Sequence, residues 1–362
     1  MYILRFRRGE TDQEGACMTS GGPSLPVRMI AWEITRRCPY NCRHCRAQAA
    51  DTDYGDELTT EECRLLVDSI AQHTNATLLL TGGEPMYRND IYETASYAAE
   101  KGIRVVMAPC GAMINDTSAV RIRESGIVRL SLSLDGADEQ THDSFRNMPG
   151  AYNRLMTAIK ILNIQGIPFQ INTTVSRHNA AQMHDIFLLS KRLGAIAFHP
   201  FFLVPVGRGR GLADLELSTE QYDSLLEFFC SEMVRSDYEI RITCAPQFTR
   251  VLERLLARND SPGRDRLISQ RGCLAGDSFL FISHRGILQP CGFLELPCGS
   301  LREYGYNLHD AYTASTVLKD LKERERYKEN CGGCAYLARC GGCRARAYEK
   351  SGDYMGGDPH CR

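Results

Sequence analysis

No stretch of this 362-residue chain stays apolar for the roughly 18 residues that a membrane span requires. Charge of one sign is lacking as well. Forty-three basic against 44 acidic side chains leave a formal net charge of -1, so nothing favours nucleic acid or an anionic membrane as a partner. There is no internal repeat and no low-complexity tract. The segment Met1 to Pro26 opens basic, with Arg5, Arg7 and Arg8, but lacks the apolar centre and small-residue cleavage site of a secretory signal. A flexible leader over 1–26 and a cytoplasmic location are therefore expected. With 43% hydrophobic and 24% charged residues, the rest reads as ordinary globular protein, long enough for one large domain and an appendage.

Against that background, sixteen cysteines stand out. A chain that can bury a core and carries no export signal has little use for disulfides, so metal ligation is the better reading. Six of them (Cys17, Cys63, Cys110, Cys230, Cys244 and Cys298) are scattered, as small buried hydrophobes usually are. The others fall into organised spacings toward the two ends.

From Val27 to Pro205, short apolar runs alternate with amphipathic helices. Strands are expected at 28–34, 76–80, 103–108, 128–134, 169–175 and 196–204. Helices are expected at 60–73, 90–101, 118–125, 152–165 and 180–193. This alternation implies an α/β fold of parallel strands with crossover helices, and ligands gather at the strands' C-terminal ends. Six units are too few for a complete (β/α)8 barrel. A partial (β/α)6 barrel and an open doubly wound sheet both remain. After Pro205 come a Gly/Arg loop (207–211), helices at 219–235 and 247–258 with a strand near 239–243 between them, and a polar linker over 259–271. The expected domains are 27–258 and a cysteine-rich unit over 272–362, with a hairpin near 279–290.

Cys38, Cys42 and Cys45 follow the first strand at CxxxCxxC spacing. Three such thiolates can hold three irons of a cubane and leave the fourth without a protein ligand. A zinc site short of one ligand, with His44 as a possible fourth, would use the same triplet. The second strand runs into Thr81-Gly82-Gly83-Glu84-Pro85, where two glycines let backbone approach a ligand closely and a carboxylate can accept from an ammonium. A plain tight turn is the alternative. The fourth strand ends in Ser131-Leu132-Ser133-Leu134-Asp135-Gly136, and Arg146 closes a polar segment beyond it.

Together these segments resemble the radical S-adenosylmethionine (SAM) superfamily. The resemblance implies a [4Fe–4S] cluster on Cys38, Cys42 and Cys45 that binds SAM. It assigns Gly82, Gly83, Glu84 and Pro85 to the methionyl amine, Ser133 and Asp135 to the ribose, and Arg146 to the carboxylate. Many relatives read Thr-Asn-Gly after the third strand, where this chain has Pro109-Cys110-Gly111. Residues 271–362, with Cys273, Cys291, Cys331, Cys334, Cys340, Cys343 and Cys361, resemble the SPASM extension, which houses auxiliary clusters. The family pattern implies one cluster on Cys331, Cys334, Cys340 and Cys361, and another on Cys273, Cys291 and Cys343. The second set lacks a fourth ligand, which Cys298, Cys244, a non-cysteine group or the substrate could supply. A zinc ribbon is the alternative for the whole array.

Finer segments, among them Arg28–Cys38, Gln170–Val175, Val204–Arg210, Phe281–His284 and Gly341–Tyr348, resemble the haem b synthase family of the sirohaem-dependent haem pathway. That resemblance implies oxidative decarboxylation of two propionates of iron-coproporphyrin III to vinyl groups. It also implies a tetrapyrrole substrate, a low-potential electron donor and auxiliary clusters as electron acceptors. Arginines suit the substrate carboxylates. Arg208 and Arg210 are the first candidates, with Arg37 and Arg344 behind them. His199 or His284 could ligate the substrate iron. Didecarboxysirohaem deacetylase and the haem d1 enzyme share the architecture. A SPASM peptide maturase is a rival, but the short N-terminus leaves no room for a leader-binding domain. A cluster-carrying electron-transfer protein would have no use for the SAM-site motifs.

Overall fold

A computed structural model describes residues 24–257 and 264–361. Nine strands form one sheet: β1 (Met29–Thr35), β2 (Thr77–Gly82), β3 (Val105–Met107), β4 (Ile127–Ser133), β5 (Phe169–Val175), β6 (Ala197–Phe202), β7 (Glu239–Ile240), β8 (Phe279–Ile282) and β9 (Leu288–Gln289). Their order is β7-β6-β5-β4-β3-β2-β1-β8-β9. Every neighbouring pair is parallel except β8 and β9. This is the partial (β/α)6 barrel, with β7 added at one edge and the cysteine-rich hairpin at the other.

Two-residue periodicity explains which face does what. Ile30, Trp32 and Ile34 of β1, Leu78 and Leu80 of β2, Leu130 and Leu132 of β4, and Phe169 and Ile171 of β5 enter the core shared with the helices. The alternate positions turn the other way and carry Glu33, Ser131, Ser133, Gln170, Asn172 and His199. The inner face of the barrel is therefore polar. On the outer face, helix Thr60–His73 begins with a reciprocal cap: Glu62 N–H donates to Thr59 Oγ1 at 3.2 Å, and Thr59 N–H to Glu62 Oε2 at 2.8 Å.

Three features differ from the sequence expectation. The cysteine-rich unit does not start as a separate body, because β8 pairs in register with β1 from Met29↔Phe279 to Trp32↔Ile282. The leader ends earlier than Pro26: Leu25 and Val27 are buried, and Leu25 N–H donates to His73 O. An additional helix, Glu139–Arg146, is started by Asp138, which accepts from Thr141 N–H, and stopped by Asn147 in the left-handed conformation. Most of the expected leader, with Cys17, lies outside the described residues, as does the first half of the expected linker. The second half of that linker contains the helix Arg264–Ile268. The Gly/Arg loop is the start of a 3-10 segment, Gly207–Leu215. Among the described residues no helix is long and apolar enough to cross a membrane.

Candidate active site and cysteine centres

The loop carrying Cys38, Cys42 and Cys45 leaves the C-terminal end of β1 and is gripped from several sides. Cys38 N–H donates to Ala50 O, Glu84 N–H to Arg37 O at 2.7 Å, and Arg43 N–H to Phe145 O at the end of helix Glu139–Arg146. From the segment after β6, Arg208 donates Nε to Cys42 O and Nη1 to Ala49 O, both at 2.8 Å, and its N–H to Cys45 O. Cys38 and Cys42 are buried with Tyr40, Ala47, Ala49 and Ala151, and Cys45 and Cys110 pack against them. Burial pushes the Cys38 thiol up to about 12, and Cys42 also rises. Without a metal these thiols stay protonated. Two buried thiols packed with the half-buried Cys45, with Arg146 beside Cys42, are suited to thiolate ligation, where the metal offsets the cost of ionisation.

Gly82 and Gly83 are needed for a reason other than the one expected. A Cβ on Gly82 would lie 2.2 Å from Thr35 O, and one on Gly83 would lie 2.4 Å from Arg37 O and 2.5 Å from Arg36 O. What the glycines approach closely is the chain's own backbone at the exit of β1. Glu84 is wholly buried and has both oxygens engaged: Met86 N–H donates to Oε1 at 2.9 Å and Cys110 N–H to Oε2 at 2.6 Å. Its carboxylate ties the Gly82–Pro85 turn to the loop after β3, and does not project toward an incoming ammonium. Cys110, at the position where many relatives have asparagine, takes part in that tie.

Asp135 is also committed to the protein. Its Oδ1 accepts from Thr174 N–H at 2.7 Å, and its Oδ2 lies 2.7 Å from Arg146 Nη2 and 3.6 Å from His44 Nε2. Burial pushes the carboxyl up, but Arg146 and the two nearby imidazoles outweigh it and hold it below its usual range. The expected ribose contact is therefore an anchor for Arg146, whose Nη1 reaches 3.8 Å from Cys42 Sγ. His44 stacks on Phe145 at 4.0 Å, and burial pushes its ring down to about 3. Ser133 is half-buried at the end of β4.

These arrangements have counterparts. Residues 32–189 match the model of the family described as the radical SAM superfamily. The AdoMet-dependent heme synthase of Nitratidesulfovibrio vulgaris is 42% identical over 359 residues, covering 96% of this chain and 97% of that protein. The chain belongs to the radical SAM superfamily. The Fe-coproporphyrin III synthase of Methanosarcina barkeri is 30% identical, covering 99% of this chain and 93% of that protein. In structure, Streptococcus suis SuiB bound to S-adenosylmethionine superposes with a TM-score of 0.73 at 16% identity, covering 94% of this chain and 78% of that one. That likeness shows the fold alone.

As a radical SAM enzyme, the protein works with a [4Fe–4S] cluster and SAM, and its C-terminal unit is rich in cysteine. Cys334 N–H donates to Cys331 O, Asn330 Nδ2 to Cys361 O at 2.8 Å, and Arg344 Nη2 lies 3.3 Å from Cys331 Sγ, which draws Cys331, Cys334 and Cys361 into one region. Cys291 packs with Cys343, and Cys273 N–H donates to Cys340 O.

The expected substrate residues fare unevenly in this radical SAM fold. Arg208 has two of its donor groups on the cluster loop, so it is a staple and not an open propionate partner. Arg210 forms a two-pronged pair with Glu349 at 2.8 and 2.9 Å, at the edge of a cavity of about 550 Å³ that Arg250, Arg346 and Lys350 also line. Arg37 pairs with Asp51 at the surface. Arg344 is buried and donates to the carbonyls of Tyr354 and Gly356, so neither of these last two awaits a substrate. His199 sits beside Gln170 on the inner face, and burial pushes its ring down to about 3. His284 is buried with Nδ1 2.8 Å from Glu33 Oε1, and its Nε2 has no partner among the described residues.

Glu33 was missed in the sequence, although a lone carboxylate in an otherwise apolar strand was a readable signal. It is wholly buried and gathers Arg36, Arg46 and His284. Arg46 in turn lies over the Phe281 ring at 4.3 Å, and its Nε would lie 3.3 Å from a Cβ on Gly292, next to Cys291, so it links the first cysteine loop to the C-terminal unit.

Proposed function

We propose that this enzyme converts two propionate groups of iron-coproporphyrin III to vinyl groups, giving haem b. The observation that carries the reading is similarity along the whole chain to an AdoMet-dependent heme synthase at 42% identity, against 30% for the Fe-coproporphyrin III synthase. Cys38, Cys42 and Cys45 hold the SAM-binding cluster. The backbone of the turn Gly82–Pro85, with the Glu84 carboxylate committed to Met86 and Cys110, receives the methionyl amine, Ser133 the ribose and Arg146 the carboxylate. When bound, the first cluster supplies the electron that cleaves SAM to methionine and a 5′-deoxyadenosyl radical, and the auxiliary clusters supply a sink for the electron left after each decarboxylation.

The protein's own residues position and shield. Asp135 holds Arg146 beside Cys42 with a charge already balanced, so accepting a carboxylate needs no reorganisation of that guanidinium. The apolar wall of Tyr40, Ala47 and Ala151 keeps water from the three sulfurs. Arg210, at the edge of the cavity, meets a substrate carboxylate by exchanging Glu349 for it. His284, oriented by Glu33, presents Nε2 as a ligand for the substrate iron, an arrangement in which a carboxylate fixes the imidazole tautomer. A low-potential donor supplies electrons, and a reducing compartment such as the cytoplasm keeps the thiols available.

Anaerobic incubation of reconstituted enzyme with SAM, a reductant and iron-coproporphyrin III, followed by mass spectrometry, tests the proposal. Loss of two carboxyl groups in steps, with 5′-deoxyadenosine formed, is the expected result. Formation of deoxyadenosine with the porphyrin unchanged would remove the substrate from this reading.

A further inference from the structure

The set of Cys273, Cys291 and Cys343 is one thiol short of a fully ligated cubane, and the structure brings a fourth to it from outside the cysteine-rich unit. Cys244 follows β7. Thr243 is pinned to the sheet by its N–H on Pro200 O and by Phe202 N–H on its own carbonyl. The chain then turns sharply, with Cys244 at φ 61°, a region that residues bearing a side chain seldom occupy. The turn packs Cys244 into one apolar group with Cys343 and Cys291. Val204, Val206 and Leu294 enclose the group.

One buried ion pair fixes both contacting cysteines. Arg346 donates Nη2 to Cys244 O at 2.8 Å and lies 3.4 Å from Asp358 Oδ2, which accepts Cys343 N–H at 2.6 Å. Pro246, two residues on, packs against Gly272, where a Cβ would lie 2.6 Å from the proline ring. Gly272 leads directly to Cys273, whose N–H donates to Cys340 O. The other unassigned cysteine considered for this role is placed elsewhere: Cys298 donates to Leu296 O at 3.6 Å and packs into the main core.

We propose that Cys244 is the fourth ligand of this auxiliary cluster, which is thereby closed by four cysteines and offers no iron to the substrate. The inference rests on the reading that the C-terminal cysteines hold iron–sulfur clusters.

The test uses the full-length chain with Cys38, Cys42 and Cys45 all replaced by alanine, so that only the auxiliary centres remain. Cys244→Gly is the informative change in that background, because glycine suits φ 61° and removal of the side chain relieves the backbone. After anaerobic reconstitution, iron content and EPR spectra are recorded before and after mild oxidation. The expected result is that Cys244→Gly alone produces a [3Fe–4S] signal on oxidation, from loss of the iron that no longer has a protein ligand. Cys298→Ala should leave the spectra as they were. A Cys244→Gly protein with parental spectra and no such signal would overturn the proposal, as would the signal appearing with Cys298→Ala instead. Absence of iron from the parental background would overturn it together with the cluster reading, and zinc in its place would identify which of the two had failed.

Discussion

The guanidinium of Arg208 donates to the carbonyl oxygen of Cys42 across 166 residues of sequence. With its second bond to Ala49 O, it holds both ends of the loop that carries Cys42 and Cys45. Charged hydrogen bonds contribute about 1.5–3 kcal/mol each, and lysine cannot reproduce the two-pronged geometry. Arg208→Lys and Arg208→Ala should therefore lower occupancy of the N-terminal cluster and slow deoxyadenosine formation at least tenfold without porphyrin present, while the auxiliary clusters assemble normally. A variant with full occupancy and normal SAM cleavage, but weaker porphyrin binding, would return Arg208 to the substrate.

Gly83 and Glu84 hold the opposite side of the same loop. Gly83→Ala places a methyl group within 2.5 Å of two backbone carbonyls, which cannot swing aside as a side chain could, so the exit of β1 must shift. Glu84→Gln sets an amide N–H₂ against a backbone N–H that now donates to a carboxylate, at a cost of about 1–3 kcal/mol for the buried group left unsatisfied. Both changes should abolish SAM-dependent deoxyadenosine formation. Cys110→Ala keeps the backbone N–H and should retain most of that activity, a contrast that SAM cleavage assays read directly.

Glu33 predicts how stability depends on pH. Burial pushes its carboxyl up, but Arg46, His284 and Arg36 outweigh this and hold it at about 2, below the usual 4.5. Because the folded value is the lower one, the contribution is complete above pH 4.5 and is lost as pH falls through about 2. Its size is on the order of 3 kcal/mol. The stability gap between the metal-free wild type and Glu33→Gln, followed by urea unfolding, should be widest at neutral pH and shrink below pH 4.5. A gap independent of pH would remove the carboxylate from this role.

Much of this architecture was legible because β1 and β2 are short, mostly apolar runs and β5 alternates apolar and polar residues, each separated from the next strand by a helical stretch. Helix Glu139–Arg146 was not, since it turns only His142 and Phe145 inward and so carries no readable apolar stripe. The pairing of β8 with β1 joins segments 250 positions apart (29 with 279), and no local pattern announces a parallel partner. Spacing identified the cysteines that come in clusters but could not rank the scattered ones. Cys63 and Cys230 prove to be core residues, donating to Leu58 O and Phe248 O, whereas Cys244 reaches the auxiliary centre. Only the turn after β7 separates these fates.

Ligation of the substrate iron by His284 makes the last prediction. With Nδ1 directed at Glu33, Nε2 is the ring nitrogen that lacks a partner among the described residues and is the atom placed to ligate iron. Wild-type enzyme mixed anaerobically with iron-coproporphyrin III should shift the Soret band as a nitrogen ligand enters. His284→Ala should lose that shift and bind the iron porphyrin roughly tenfold more weakly, equivalent to about 1.4 kcal/mol. Metal-free coproporphyrin III should bind both proteins alike, because its carboxylates do not depend on the imidazole. His199 differs: its Nδ1 lies beside the Gln170 amide and not a carboxylate, so His199→Ala should leave the Soret shift in place. Were the shift to vanish with His199 and persist without His284, the iron would lie deeper in the barrel, against the polar inner face of β5 and β6.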